Sequence, residues 1–366
     1  MIKTLLMTLV SCALMANQLD GVKFKEKLAR PLPQWMQDQI RQDLAPYKEK
    51  GIYKEDLDRT LEEITTMPGG YNSQLIRYEI KNNQMSITSK HKYKGDARVE
   101  HLIEFIHTMA KYVKMPDVDI IASLWDCFDN PTFLEHCRCP VFTICKQKQN
   151  HRAVLWPETV YIGFKTGVLK AVYEASEKMP WKMKKDKVYW RGNSTNGFYA
   201  PHNWDKKMRP RLVMFAMEHS ELIDAKLTGT YWTDKQVAQW IEKNGFIADW
   251  IYPPGQVEFK YHIAIDGNSF PSSFYWQLIS NCAIMKSRSS HIEWFYRGLQ
   301  DGVHYVSFDP DCHDLLNVIH RLKNDQDYAQ KIAKAATKFA KETLMMEDIA
   351  CYFYHLFTEY SKLQRF

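Results

Sequence analysis

Two carboxylates follow the long apolar run Val118-Asp119-Ile120-Ile121-Ala122-Ser123-Leu124-Trp125: Asp126 directly and Asp129 within the next loop. Such a run reads as a buried parallel strand. A carboxylate at its carboxyl end can act as a general base or as the N-cap of the next helix, and the local sequence leaves both readings open. A second stretch, Val188 to Gly197, reads as a strand running into a loop of small residues that includes Gly192, Ser194 and Thr195. Small residues let backbone N–H groups approach a diphosphate closely, or they make an ordinary polar turn. In a third, Tyr261, Ile263 and Ile265 alternate into Asp266-Gly267-Asn268-Ser269, and Phe274, Leu278 and Cys282 then recur every four residues. This spacing predicts strand, tight loop and helix. Arg209 and Arg211 open another helix, where a cation is unfavourable for the helix dipole and so suggests a different task.

The elements that must position these residues alternate between strand and helix. Consecutive βα units put loops and helix N-termini at the carboxyl edge of a parallel sheet, where phosphate-bearing ligands bind. Upstream, Leu19 to Ile64 is polar and helix-prone, and Gln74 to Thr88 alternates as a hairpin turning at Lys81-Asn82-Asn83. An amphipathic helix opens at Arg98-Val99-Glu100-His101. Downstream, Val303-His304-Tyr305-Val306 reads as a strand, and the aromatic stripe of Met345 to Leu363 reads as packing.

The chain has 366 residues, 45% of them hydrophobic and 25% charged, which fits a folded protein of two domains. A net charge of +6 spread along the chain points to a solvated basic face, suited to phosphate groups or peripheral membrane contact rather than to nucleic acid. Cys127, Cys137, Cys139 and Cys145 lack the two-residue gaps of structural zinc sites, which argues against zinc. Residues 1–16 have the size and composition of an export signal, or form a helix that packs on the body.

Several segments together resemble glycosyltransferase family 90. They are Asp266-Gly267-Asn268, Ser272-Ser273-Phe274, Ser280-Asn281-Cys282-Ala283-Ile284-Met285-Lys286, Glu293-Trp294-Phe295, Leu299, and Val303 to Val306. Pro180-Trp181-Lys182 before Trp190-Arg191-Gly192 and Thr195, Val99-Glu100-His101 before Asp126, and Cys351-Tyr352 with Glu359-Tyr360-Ser361-Lys362 extend the likeness over Arg98 to Leu363. The family includes eukaryotic protein O-glucosyltransferases, fungal capsule-associated xylosyltransferases and bacterial lipopolysaccharide-modifying enzymes.

The resemblance implies a GT-B-like α/β fold, with two Rossmann-like domains facing across a cleft behind a helical lead-in. The expected divisions are a lead-in and hairpin over 1–95, an acceptor-side domain over 96–180, a donor domain over 181–344 and a closing helix over 345–366. It further implies an inverting transferase that uses a UDP-sugar as donor substrate, with no cofactor and no metal. Asp126 would take the acceptor's proton. Arg191, Gly192, Ser194, Thr195, Arg209, Arg211, Asp266, Gly267, Asn268, Ser269, Ser272, Ser273 and Glu293 would bind the donor. The chain departs from many eukaryotic members at Ser273, where those place an Arg. That departure favours a lipopolysaccharide or other glycan as acceptor, on the cytoplasmic side or at the inner membrane face. The alternatives are a protein O-glucosyltransferase of the secretory lumen, with 1–16 as its signal, or a non-catalytic nucleotide-sugar-binding relative.

Overall fold

The computed structural model describes residues 19–67, 74–89, 96–159 and 163–366. The apolar segment over 1–16 and the Pro68-Gly69-Gly70 break lie outside them. The chain divides into two compact units: the first holds Met1–Gly167, His291–Gly298 and Thr343–Phe366, the second Val168–Ser290 and Leu299–Glu342. These divisions differ from the sequence boundary at 180/181 in two places. The helix Val168–Lys178 packs on the Pro253–Gln256 turn of the second unit, and residues 291–298 return to the first.

In the first unit, β1 (Leu75–Lys81), β2 (Gln84–Ile87), β3 (Val118–Ser123), β4 (Val141–Thr143) and β6 (Ala153–Leu155) form one sheet in the order β2-β1-β3-β4-β6. β5 (Cys145–Gln147) lies outside it. The sheet is mixed, because Asn82 and Asn83 take φ of 51° and 66° and close an antiparallel hairpin of the type that two positive-φ residues favour. β3, β4 and β6 are mutually parallel. Their core is closed by the C-terminal helix Met346–Ser361, whose Tyr352 and Tyr360 hydroxyls donate to the carbonyls of Leu155 and Asp119 at 3.1 and 3.0 Å. The aromatic stripe is therefore packing, with hydrogen-bonded ends.

The second unit carries β7 (Lys185–Gly192), β8 (Ile223–Leu227), β9 (Phe259–Ala264) and β10 (Ala283–Ser287). The chain then makes β11 (His291–Glu293), which pairs with β5 in the first unit, and returns to make β12 (Val306–Phe308). The second sheet runs β12-β10-β9-β7-β8, with every pairing parallel. All five residues of β10 are buried, as expected for a parallel strand covered on both faces. Two expectations shift. The helix after the Asp266 loop is one turn, Phe274–Gln277, because Asn281 takes φ 52° and leads at once into β10. The strand expected at Val303–Val306 begins at Val306, because Gly302 N–H bonds Tyr305 O at 2.8 Å and folds the preceding residues into a turn.

Among the described residues no helix is long and apolar enough to cross a membrane.

A buried ion pair fixes the first unit internally. Lys146 on β5 donates to Asp43 Oδ1 at 2.6 Å and to Ala153 O at 2.7 Å, while Asp43 Oδ2 accepts from Leu155 N at 2.9 Å. Asp43→Ala leaves that ammonium buried and unpaired, so it is expected to cost about 3–5 kcal/mol. The double change with Lys146→Met recovers part of the loss. Denaturant melts of the three chains check this, and a double variant no more stable than Asp43→Ala would contradict it.

Candidate active site

In chain order the second sheet reads 2-1-3-4-5, so the connection direction reverses between β7 and β9. In such sheets ligands bind outside the strands' carboxyl ends at that point. The two loops expected to bind phosphate leave the sheet there: Gly192 to Gly197 from β7 and Asp266 to Ser269 from β9.

Arg209, at the start of the helix Met208–Glu218, joins them. Its guanidinium donates to Asn193 O at 2.7 Å, Asp266 O at 3.1 Å and Ile265 O at 3.5 Å, and lies over the Trp190 ring. These bonds use three of its five N–H groups and leave two for a ligand. Burial pushes its pKa down to about 10, and it makes no ion pair among the described residues. Arg209 remains charged at neutral pH.

Glycine is required on both sides of this cation. A Cβ on Gly267 would stand 2.9 Å from Arg209 Nη2 and 2.9 Å from Thr195 Oγ1, and one on Gly192 would stand 2.7 Å from Trp190. Asn268 Oδ1 accepts from Asn196 N at 3.0 Å and ties one loop to the other. The Thr195 hydroxyl is buried with no hydrogen-bond partner among the described residues. Asp266 is buried and lies 4.0 Å from the buried Lys286 ammonium.

The other expected donor residues have surroundings of their own. Arg191 is held by Asp224, with Nη1 at 2.8 Å from Oδ1 and Nη2 at 3.0 Å from Oδ2. Ser194 donates to Tyr231 O at 2.6 Å, and its N–H reaches Gly229 O, so it anchors the loop from behind. Among the described residues Arg211 makes no side-chain hydrogen bond or ion pair, and its charge acts on Cys312 in the loop after β12. Ser269 is buried, Ser272 is exposed, and Ser273 stands half-buried before Phe274–Gln277 without capping it. Glu293 lies on β11 in the first unit, buried opposite Cys145.

In the first unit the two carboxylates after β3 take different roles. The following helix, Pro131–His136, is capped by Asn130, whose side chain accepts from Thr132 N at 3.0 Å. Asp126 is therefore not that helix's cap. It is 39% exposed and 3.9 Å from Arg98 Nη1, on a turn set by the Ser123 hydroxyl accepting from Trp125 N. Asp129 accepts from Gln147 N and Asn150 Nδ2, both at 2.7 Å, and braces the loop. Arg98 and Lys286 are the charged neighbours that the sequence reading passed over. Lys286 had a local signal, a cation ending the apolar run Ala283-Ile284-Met285. The signal for Arg98 is only its place one residue before the Val99-Glu100-His101 element.

Residues 32–366 match the profile of glycosyl transferase family 90, and the chain belongs to that family. It is 28% identical over 337 residues to protein O-glucosyltransferase 2 of Danio rerio, covering 89% of this chain and 62% of that protein's length. It is 24% identical over 339 residues to protein O-glucosyltransferase 1 of Rattus norvegicus, covering 88% of this chain and 79% of that protein. Among solved structures, Anabaena Alr3699/HepE in complex with UDP and glucose overlaps 62% of this chain and 65% of its own, with a TM-score of 0.40 and 10% identity.

The crowding at Gly267 gives a direct test. Gly267→Ala displaces either the Arg209 guanidinium or the Thr195 hydroxyl, so UDP affinity measured by calorimetry is expected to fall about tenfold, or roughly 1.4 kcal/mol. Unchanged affinity would remove this contact from the binding site.

Proposed function

We propose that the chain transfers a sugar from a UDP-sugar to an acceptor hydroxyl with inversion, in one displacement. The observation that carries this reading is Arg209: a guanidinium bound only by neutral carbonyls at the switch point of a doubly wound sheet, with donors to spare. A cation so placed makes no ion pair among the described residues and favours an anion, and its planar fork suits phosphate oxygens. Family membership supplies the reaction class.

In this scheme the acceptor oxygen bonds to the anomeric carbon as the bond from that carbon to the UDP oxygen breaks. The acceptor's proton passes to the Asp126 carboxylate. UDP departs with the charge of the broken bond, and Arg209 stabilises that charge where it develops. The Thr195 hydroxyl and the backbone around Gly267 complete the diphosphate seat. Lys286 holds Asp266 and so positions the loop that carries Gly267. No metal takes part in the transfer.

The acceptor has two readings. Ser273 in place of an Arg supports a glycan or lipopolysaccharide acceptor on the cytoplasmic side. The names of the relatives support glucose as the sugar and a protein hydroxyl as the acceptor. Assays of UDP-glucose and UDP-xylose against both acceptor classes separate them.

Two variants test the site. General-base catalysis is worth roughly 10²–10⁴ in rate, so Asp126→Asn is expected to reduce transfer by that factor while UDP affinity stays within a few-fold. Near-normal turnover removes Asp126 from the mechanism, and UDP binding with no transfer in the unaltered chain supports a binding protein instead. Arg209→Ala is expected to weaken UDP binding about 10- to 100-fold, the loss of one or two charge-assisted hydrogen bonds. Arg209→Lys restores only part of it, since a point charge cannot reproduce the fork.

A further inference from the structure

Departing UDP carries one more negative charge than the sugar ester did, and the site must meet it. Of the cations expected at the donor, Arg191 is paired with Asp224 and the charge of Arg211 acts on Cys312. Lys286 lies against Asp266. That leaves Arg209, a single positive charge against a diphosphate.

Lys207 stands half-buried directly ahead of the helix Met208–Glu218. It occupies the N-cap, where Ser, Thr, Asp or Asn would satisfy the first amides, and its side chain makes no capping bond. The first turn that follows carries no carboxylate, so nothing there offsets a cation that the helix dipole disfavours. Its ammonium instead donates to Asn196 O at 2.8 Å, in the loop leaving β7, and this is its one side-chain hydrogen bond among the described residues. Gly197 takes φ 81°, and a Cβ on it would stand 3.2 Å from Lys207 Nζ, so the loop carries no side chain where the cation sits. Asn268 Oδ1 accepts from Asn196 N at 3.0 Å and from Gly197 N at 3.5 Å. The residues that hold Lys207 are thereby tied to the loop after β9, the other side of the diphosphate seat.

We propose that Lys207 is a second cation for the donor's diphosphate, acting beside Arg209 on the charge that develops as UDP departs. The inference rests on the reading of these two loops as the donor site. An ammonium has three N–H donors, of which Asn196 O takes one and a phosphate oxygen can take the others. Arg209 is fixed by three carbonyls, whereas the flexible stem of Lys207 can turn toward the oxygen that gains charge. A cation with that task favours UDP over the UDP-sugar, because the free diphosphate is the more negative of the two.

The test is calorimetry of the full chain with UDP and with UDP-glucose, beside Lys207→Gln and Lys207→Arg. Glutamine can still donate to Asn196 O but carries no charge. Lys207→Gln is expected to bind UDP about tenfold more weakly and UDP-glucose with a smaller loss, so that the ratio of the two affinities falls. Lys207→Arg keeps that ratio within a few-fold of the unaltered chain. Taking the ratio makes the readout independent of any fraction of a variant that fails to fold. An equal loss on both ligands in Lys207→Gln would assign Lys207 to bracing the loop alone and overturn the proposal. Unchanged UDP affinity in that variant overturns it too, and leaves Arg209 and the donor site as they stand. Absence of UDP binding in the unaltered chain is a different failure, since it removes the donor site itself and Lys207 with it.

Discussion

The second unit depends on one buried charge that makes no ion pair among the described residues. A guanidinium drawn from water is costly unless its donors are met. Arg209 meets its need with the carbonyls of Asn193, Ile265 and Asp266, which belong to the chain leaving β7 and β9. The cation therefore holds the two loops at the separation the sheet gives them. It makes no ion pair among the described residues, although the Asp266 carboxylate, 4.0 Å from Lys286, lends it some opposing charge. Had Asp266 paired with Arg209 instead, the same residues would form a closed salt bridge with little left for a phosphate. Glycine at 192 and 267 follows from the same demand, since a side chain at either position would meet Trp190 or Arg209.

The carboxylates after β3 show the converse, where environment sorts chemically identical groups. Asp129 has its acceptor sites filled by Gln147 and Asn150 within the loop. Asp126 stays more than a third exposed, with Arg98 as a nearby cation. A group whose hydrogen bonds are already made holds structure. One that is more than a third exposed on a braced turn can take a proton from a ligand. The bracing is local and strong: Trp125 stacks on Phe133 with ring centres 4.9 Å apart.

Much of this fold could be read from the sequence, because burial on both faces writes long apolar runs into β3, β9 and β10. The Asn82-Asn83 turn is likewise local. What could not be read depends on partners distant along the chain. Arg191 was expected to bind the donor from the resemblance; Asp224 reaches it only through the β7–β8 pairing. Glu293 was expected to bind the donor from the resemblance, and the β11–β5 ladder places it in the first unit. Val303 to Tyr305 have the composition of a strand, and the hydrogen bond across Gly302 turns them into a loop. The start of β12 was misplaced for that reason. Arg209 and Arg211 shared one local signal, an arginine where the helix dipole disfavours it, and of the two it is Arg209 that bonds carbonyls of the chain leaving β7 and β9.

The first unit is assembled from three parts of the chain, and that bears on how its site is made. β11 arrives after the second unit's first four strands, and the closing helix arrives last. Trp294, just past β11, stacks within 5.7 Å of Trp35 and 4.7 Å of Tyr352, so the start, middle and end of the chain meet at one aromatic contact. Near the termini, Ile52 N–H bonds Leu363 O at 2.8 Å, and Arg365 N–H bonds Ile52 O at 3.0 Å. Contacts of such sequence separation form late, because closing the intervening loops costs entropy before the contacts return it. The loop bearing Asp126 packs on β5, and β5 has β11 as its ladder partner. The carboxylate expected to receive the proton thus lies on a loop whose support includes a strand laddered to a segment far along the chain.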